Sequence, residues 1–189
     1  SIVSNDIQND PLEPLALALD IRNAVINCQG DITGFVVAVA KGGLGNYVYS
    51  LVDASGNPIA IGVQATSGTF TELPAGTYHI KVVSGDCEFT SQAVTITEPL
   101  TALAATFTAV PVTCNGNGDG KIIINAAGGT GVIKYAISPD MDQFVTDNTF
   151  QNLKPGFYDV VVQDQNGCFI LFNDIEITEP PVIVSAVVS

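Results

Sequence analysis

The chain has 189 residues, 47% hydrophobic and only 13% charged, with 19 acids against 6 bases and a formal net charge of −13. That balance argues against a nucleic-acid binder, which must neutralise phosphate with clustered Lys and Arg, and against docking on an anionic membrane surface. The bases (Arg22, Lys41, Lys81, Lys121, Lys134 and Lys154) are scattered, and no apolar run reaches the length of a membrane-spanning helix.

From the amino end, Glu13-Pro14 leads into Leu15-Ala16-Leu17-Ala18-Leu19, whose alternating leucines favour a strand over a helix. Cys28 follows, then a strand-like Phe35-Val36-Val37-Ala38-Val39, the pair Gly42-Gly43, and Tyr47 with Tyr49 on one strand face. Gly56-Asn57-Pro58 marks a turn. Phe70-Thr71-Glu72-Leu73-Pro74-Ala75-Gly76-Thr77-Tyr78 opens the strand Tyr78 to Val82; Cys87 and Ile96-Thr97-Glu98-Pro99 complete the first pass.

The same order then returns. Leu100 to Phe107 is the apolar opening run, Cys114 heads the turn Asn115-Gly116-Asn117-Gly118-Asp119-Gly120, and Lys121-Ile122-Ile123-Ile124 and Gly128-Gly129 follow. Ser138-Pro139-Asp140 is a turn, and Phe150-Gln151-Asn152-Leu153-Lys154-Pro155-Gly156-Phe157-Tyr158 opens the strand Tyr158 to Val162. Asn166-Gly167 suits a tight hairpin turn before Cys168. Ile177-Thr178-Glu179-Pro180 closes the second pass ahead of a final apolar run, Val182 to Val188.

A repeat of this length means tandem modules. The expected divisions are a tail of a preceding repeat or a linker over 1–14, module 1 over 15–99, module 2 over 100–181, and the opening strand of a following repeat over 182–189. The chain thus reads as a cut from a longer array. Proline after glutamate makes a stiff joint, because it fixes its own φ and holds its predecessor extended. The expected fold is all-β: two tandem immunoglobulin-like antiparallel β-sandwiches of about seven strands each. Leu-x-x-Gly-x-Tyr resembles the tyrosine corner of such sandwiches, which gives Tyr78 and Tyr158 a structural role.

Cys28, Cys87, Cys114 and Cys168 fall two per module in matching places, which points to disulfides and an oxidising compartment. The pairing expected from those places is Cys28 with Cys87 and Cys114 with Cys168. One topological objection stands: a full opening strand before Cys114 would set it and Cys168 at opposite ends of a sandwich. Reduced buried thiols are the alternative; zinc is disfavoured by the lack of CxxC and the single histidine.

Asn115, Asn117 and Asp119 have the alternate spacing of a calcium loop, yet the place of the bidentate acid holds Ala126. A Gly/Asn-rich turn between strands explains the segment without a metal, so no cofactor is expected, with calcium as the one possibility to test. Tyr47 and Tyr49 fit a sugar platform, or else simply pack inward. His79 is the only histidine and lies mid-strand, and no Ser or Cys stands in a nucleophile elbow, so no enzyme is expected.

The order Cys, Gly-Gly, x-Tyr, Leu-x-x-Gly-x-Tyr, Asn-Gly-Cys and Ile-Thr-Glu-Pro resembles the SprB repeat. Module 2 carries it most fully, in Cys114-Asn115-Gly116, Asp119-Gly120, Gly128-Gly129-Thr130, Tyr135, Leu153, Gly156, Tyr158, Asn166-Gly167-Cys168 and Ile177 to Pro181. Module 1 departs from it, with Gly85-Asp86 before Cys87 and six more residues between Tyr49 and Phe70 than between Tyr135 and Phe150. The resemblance implies a non-enzymatic, extracellular segment of a bacterial gliding-motility adhesin, exported by type IX secretion. Its partners would be neighbouring repeats of the same chain and surface polysaccharide or other glycans. A dedicated glycan-binding module and a passive stalk are the competing expectations.

Overall fold

A computed structural model of the chain describes residues 13–61 and 67–182. Of the expected flanking stubs, nearly all of 1–14 and of the closing run 182–189 lie outside those residues. Packing divides the chain into two compact units, Ser1–Ile26 with Gly30–Glu98, and Asn27–Gln29 with Pro99–Ser189.

Among the described residues the first unit holds seven strands: β1 (Ala16–Asp20), β2 (Gly34–Lys41), β3 (Val48–Val52), β4 (Thr69–Leu73), β5 (Gly76–Ser84), β6 (Cys87–Thr90) and β7 (Val94–Ile96). β1, β2 and β4 form one antiparallel sheet, in the order β1-β2-β4. The other has the order β3-β5-β6, with β7 paired to the first residues of β5. Alternation decides which faces meet. In β2 Val36, Ala38 and Ala40 are buried, and in β5 Tyr78, Ile80, Val82 and Ser84. All of these but Ser84 join Leu51, Phe70, Leu73 and Ile96 in one core between the sheets. Each fully buried Val, Leu, Ile or Phe there is worth about 1.5–3 kcal/mol.

The second unit holds β8 (Ala104–Val110), β9 (Gly120–Ala127), β10 (Lys134–Ile137), β11 (Thr149–Leu153), β12 (Gly156–Gln163) and β13 (Phe169–Ile177). Its sheets have the orders β11-β9-β8 and β10-β12-β13, all antiparallel. Ile122, Ile124, Tyr135, Val160, Val162, Ile175 and Ile177 build its core. Among the described residues six strands stand where about seven were expected, because β13 runs where the first unit has both β6 and β7. In the first unit the buried Ser91 separates those two strands, its hydroxyl accepting from Ile80 N and donating to Gln92 O. β13 instead absorbs the change with a bulge at Asp174 (φ 55°), whose N–H donates to the Asp159 carboxylate.

Two local devices recur. Glu72 and Asn152 both adopt left-handed φ, 56° and 59°, where β4 and β11 slip register against β2 and β9. The bulge leads the chain into the next strand, where Tyr78 donates to Pro74 O (2.9 Å) and Tyr158 to Lys154 O (3.0 Å). Each phenol thus reaches back four residues as its strand begins, the hydrogen bond that defines a tyrosine corner. The Gly-Gly pair has an equally concrete cause. Gly42 and Gly128 have φ of 75° and 74°, and a Cβ would fall 2.3 Å from Pro14 O in the first and 2.0 Å from Ala102 O in the second. Their neighbours Gly43 and Gly129 donate to Glu13 O and Thr101 O, so only glycine lets the hairpin cross its own opening segment this closely.

Candidate functional site: the cysteine turn at the Glu-Pro joint

The chemistry-bearing residues gather where each unit closes. Ile26 N donates to Thr97 O (2.7 Å) and Val112 N to Thr178 O (3.2 Å), so the residue two places before Cys28 or Cys114 is tied to the threonine of Ile-Thr-Glu-Pro. The turn that follows is held by the joint glutamate: Gly30 N donates to Glu98 Oε2 (2.6 Å), and Gly116 N to Glu179 Oε2 (2.9 Å). A side-chain amide completes each copy, Gln29 Nε2 to Leu100 O (2.9 Å) and Asn115 Nδ2 to Pro180 O (3.0 Å). Carboxylate acceptors make such bonds short and strong. The glutamate of the joint thus sets the turn that presents the early cysteine.

The late cysteines stand at the far end of the same strands. Cys87 pairs with Ser84, and Cys168 follows Asn166-Gly167 beyond the pair Gln163 and Phe169. The turn before Cys168 is organised by Asp164, 5% exposed. Its Oδ1 accepts from Asn166 N and Cys168 N, both at 2.9 Å, and its Oδ2 from Thr130 N at 2.8 Å. Ser84 takes that place in the first unit, accepting from Leu44 N and donating to Gly45 O.

The disulfide joins Cys28 to Cys168, 140 residues apart, with Cα atoms 5.6 Å apart. Cys87 and Cys114 are free and exposed. This corrects the expected pairing of Cys28 with Cys87 and Cys114 with Cys168. The reason is the topological objection. Gly76 pairs with Ile96 at the joint end of β5, while Ser84 pairs with Cys87 at the other. The nine residues between span about 26 Å of extended strand. In the second unit Gly156 pairs with Ile177 near Cys114, and Gln163 with Phe169 near Cys168, about 23 Å apart along β12. A disulfide needs Cα atoms within about 7 Å. Matching positions in two modules revealed which residues correspond, and left open which module supplies each partner.

Asp119 is taken up within its own loop, Oδ1 accepting from Thr113 N and Oδ2 from the Thr113 hydroxyl. Those bonds hold its carboxyl below the usual range. Asn117 Nδ2 donates to Thr113 Oγ1, so Asn117 and Asp119 share Thr113, while Asn115 turns away from both to Pro180 O. Among the described residues no three His, Cys, Asp or Glu side chains gather as a metal site. Tyr49 is buried, its hydroxyl accepting from Ala40 N, and Tyr47 donates to Gly42 O. Both pack inward, so neither forms a sugar platform. His79 is half-buried, its Nδ1 3.0 Å from Ser91 O.

The exposed aromatics lie elsewhere. Phe157 and Phe169 are 67% and 64% exposed on β12 and β13. The available signal was alternation, which sets Phe157 on the face opposite Tyr158. A cavity of about 330 Å³, lined by Val132, Lys134, Gln163, Asp164, Gln165 and Gly167, lies beside the Cys168 turn. Among the described residues no helix is long and apolar enough to cross a membrane.

The folds of several solved proteins are similar to this one. The fibronectin(III)-like modules of Clostridium thermocellum CbhA share 14% identity over 87% of this chain and 95% of theirs, with a TM-score of 0.38. The C-terminal 282-residue fragment of intimin, solved with the intimin-binding domain of the translocated intimin receptor, shares 12% over 88% of this chain and 64% of its own (TM-score 0.41). Domains 4 and 5 of the S-layer protein SbsC share 15% over 86% and 98% (TM-score 0.33). Likenesses this distant do not bear on function. The comparison with curated proteins found no match. The model of the SprB repeat matches residues 106–142, which run from β8 through the Cys114 turn and β9 to the loop after β10. Within the second unit of this all-β repeat protein, residues 106–142 match the SprB repeat.

Proposed function

We propose that the chain is a non-enzymatic segment of a cell-surface repeat adhesin of the gliding-motility type, carried outside the cell by type IX secretion. Its role is reach and weak, multivalent contact with surface polysaccharide. The observation that carries this reading is the joint itself, where two hydrogen bonds recur, to the joint threonine and to the joint glutamate, and a side-chain amide adds a third to Leu100 O in one copy and Pro180 O in the other. Such a turn closes a unit on its own Glu-Pro phrase, which suits serial repetition of one module. The SprB match and the disulfide agree with an extracellular place. No cofactor enters the reading, and calcium is not required, since Asp119 is satisfied by Thr113.

Avidity separates this proposal from its rivals, because linked weak sites can exceed a single one by about 10²–10⁴. The test compares the free chain with the chain clustered on beads, each against immobilised polysaccharides, with and without a calcium chelator. Retention of the beads alone, unchanged by the chelator, is expected. Saturable binding by the free chain would replace the proposal with a dedicated glycan module, for which the exposed Phe157 and Phe169 are the contact candidates. Binding by neither form would leave a passive stalk.

A further inference from the structure

The two free cysteines occupy the two places that the disulfide joins. Cys114 corresponds to Cys28: each follows by two residues a backbone bond to the joint threonine, and each heads a turn closed on the joint glutamate. Cys87 corresponds to Cys168: each faces the end of the long central strand, Ser84 pairing with Cys87 and Asp164 N donating to Cys168 O. The bond present therefore joins an early cysteine to the late cysteine found one repeat further along the sequence. Within a repeat that bond is barred by the length of β5 or β12. Carried forward, the rule gives Cys114 the late cysteine of a following repeat. Carried back, it gives Cys87 the early cysteine of a preceding one. Both thiols are exposed, as such a link requires.

We propose that Cys114 and Cys87 are the two open halves of one recurring link, and that their ligand is a further copy of this repeat. Successive repeats are then tied by a second covalent path beside the peptide chain. The chemistry is thiol–disulfide exchange with a disulfide oxidant, a small-molecule disulfide or a disulfide oxidoreductase. The Cys114 thiolate attacks the oxidant and expels one thiolate. The Cys87 thiolate of the other copy attacks the mixed disulfide and expels the second. Two thiols lose two protons and two electrons to form the S–S bond, and the oxidant's disulfide is reduced to two thiols.

The chain itself carries both halves, so one copy serves as partner for the next. The experiment incubates it at high concentration in oxidised and reduced glutathione, followed by a non-reducing gel and mass mapping of the linked peptides. A ladder of oligomers is expected, with every intermolecular bond joining Cys87 to Cys114. Cys87→Ser and Cys114→Ser chains, each shown to be folded by circular dichroism, should each stay monomeric. Their mixture should give a single dimer through the one remaining cysteine of each. Equal amounts of Cys87–Cys87 and Cys114–Cys114 dimers would overturn the proposal, as would no linkage or a Cys28–Cys87 bond within the chain.

Discussion

Replacing Gly128 by alanine isolates the physical reason for the Gly-Gly pair. Gly116 and Gly128 share a left-handed backbone, φ 80° and 74°, but a Cβ at Gly116 meets nothing within 4 Å, whereas at Gly128 it falls 2.0 Å from Ala102 O. The backbone penalty alone is about 1.5 kcal/mol for either alanine. At Gly128 the chain must also back away by more than an ångström, which takes the Gly129 N–H from Thr101 O and costs about 1 kcal/mol or more. Gly116→Ala should therefore cost about 1.5 kcal/mol and Gly128→Ala at least about 2.5–3. With about 4–8 °C of Tm per kcal/mol for a domain of this size, calorimetry should show at least about 4 °C between the two variants. Gly42→Ala, with its Cβ 2.3 Å from Pro14 O, should do to the first unit what Gly128→Ala does to the second. Equal shifts for Gly116→Ala and Gly128→Ala would refute the close approach as the cause and leave only φ.

Other expectations are smaller in scope. Tyr158→Phe removes the bond to Lys154 O and should lower stability by about 1 kcal/mol in urea unfolding; Tyr78→Phe should cost more, since Tyr78 is the more buried of the two. Asp164→Asn keeps one acceptor but sets an amide donor against either Thr130 N or the pair Asn166 N and Cys168 N, so about 2–4 kcal/mol should be lost, read by the same method. The Asp119 carboxyl, held below its ordinary 3.8, should titrate by NMR under that value, and Thr113→Val should raise it. The sign follows: its contribution is present above the ordinary carboxylate pKa and is lost as pH falls through the depressed one. Adding calcium should leave the Tm unchanged; a saturable rise would make the Asn115, Asn117 and Asp119 loop a cation site.

Much of the fold was legible because it rests on short-range rules. Leucine alternation at 15, 17 and 19 marks β1, and Leu-x-x-Gly-x-Tyr marks a corner whose hydrogen bond spans only four residues. The bulges at Glu72, Asn152 and Asp174 were not legible, since none of these is a residue whose type demands φ > 0. Nor was the disulfide. Residue order makes Cys28 equivalent to Cys114 and Cys87 to Cys168, but a repeat pattern is unchanged by sliding a partner one module along. Only the length of β5 and β12 breaks that tie. The turn at the joint was half visible, in the recurrence of Glu-Pro and of a glycine after each early cysteine; that the glutamate reaches back to that glycine needed the structure.

The most direct test of the repeat-to-repeat reading is to alkylate the purified, unreduced chain at low concentration and map its cysteine peptides by mass spectrometry. The account predicts a Cys28–Cys168 peptide pair with Cys87 and Cys114 both alkylated. A Cys28–Cys87 pair beside Cys114–Cys168, with no free thiol, would contradict it.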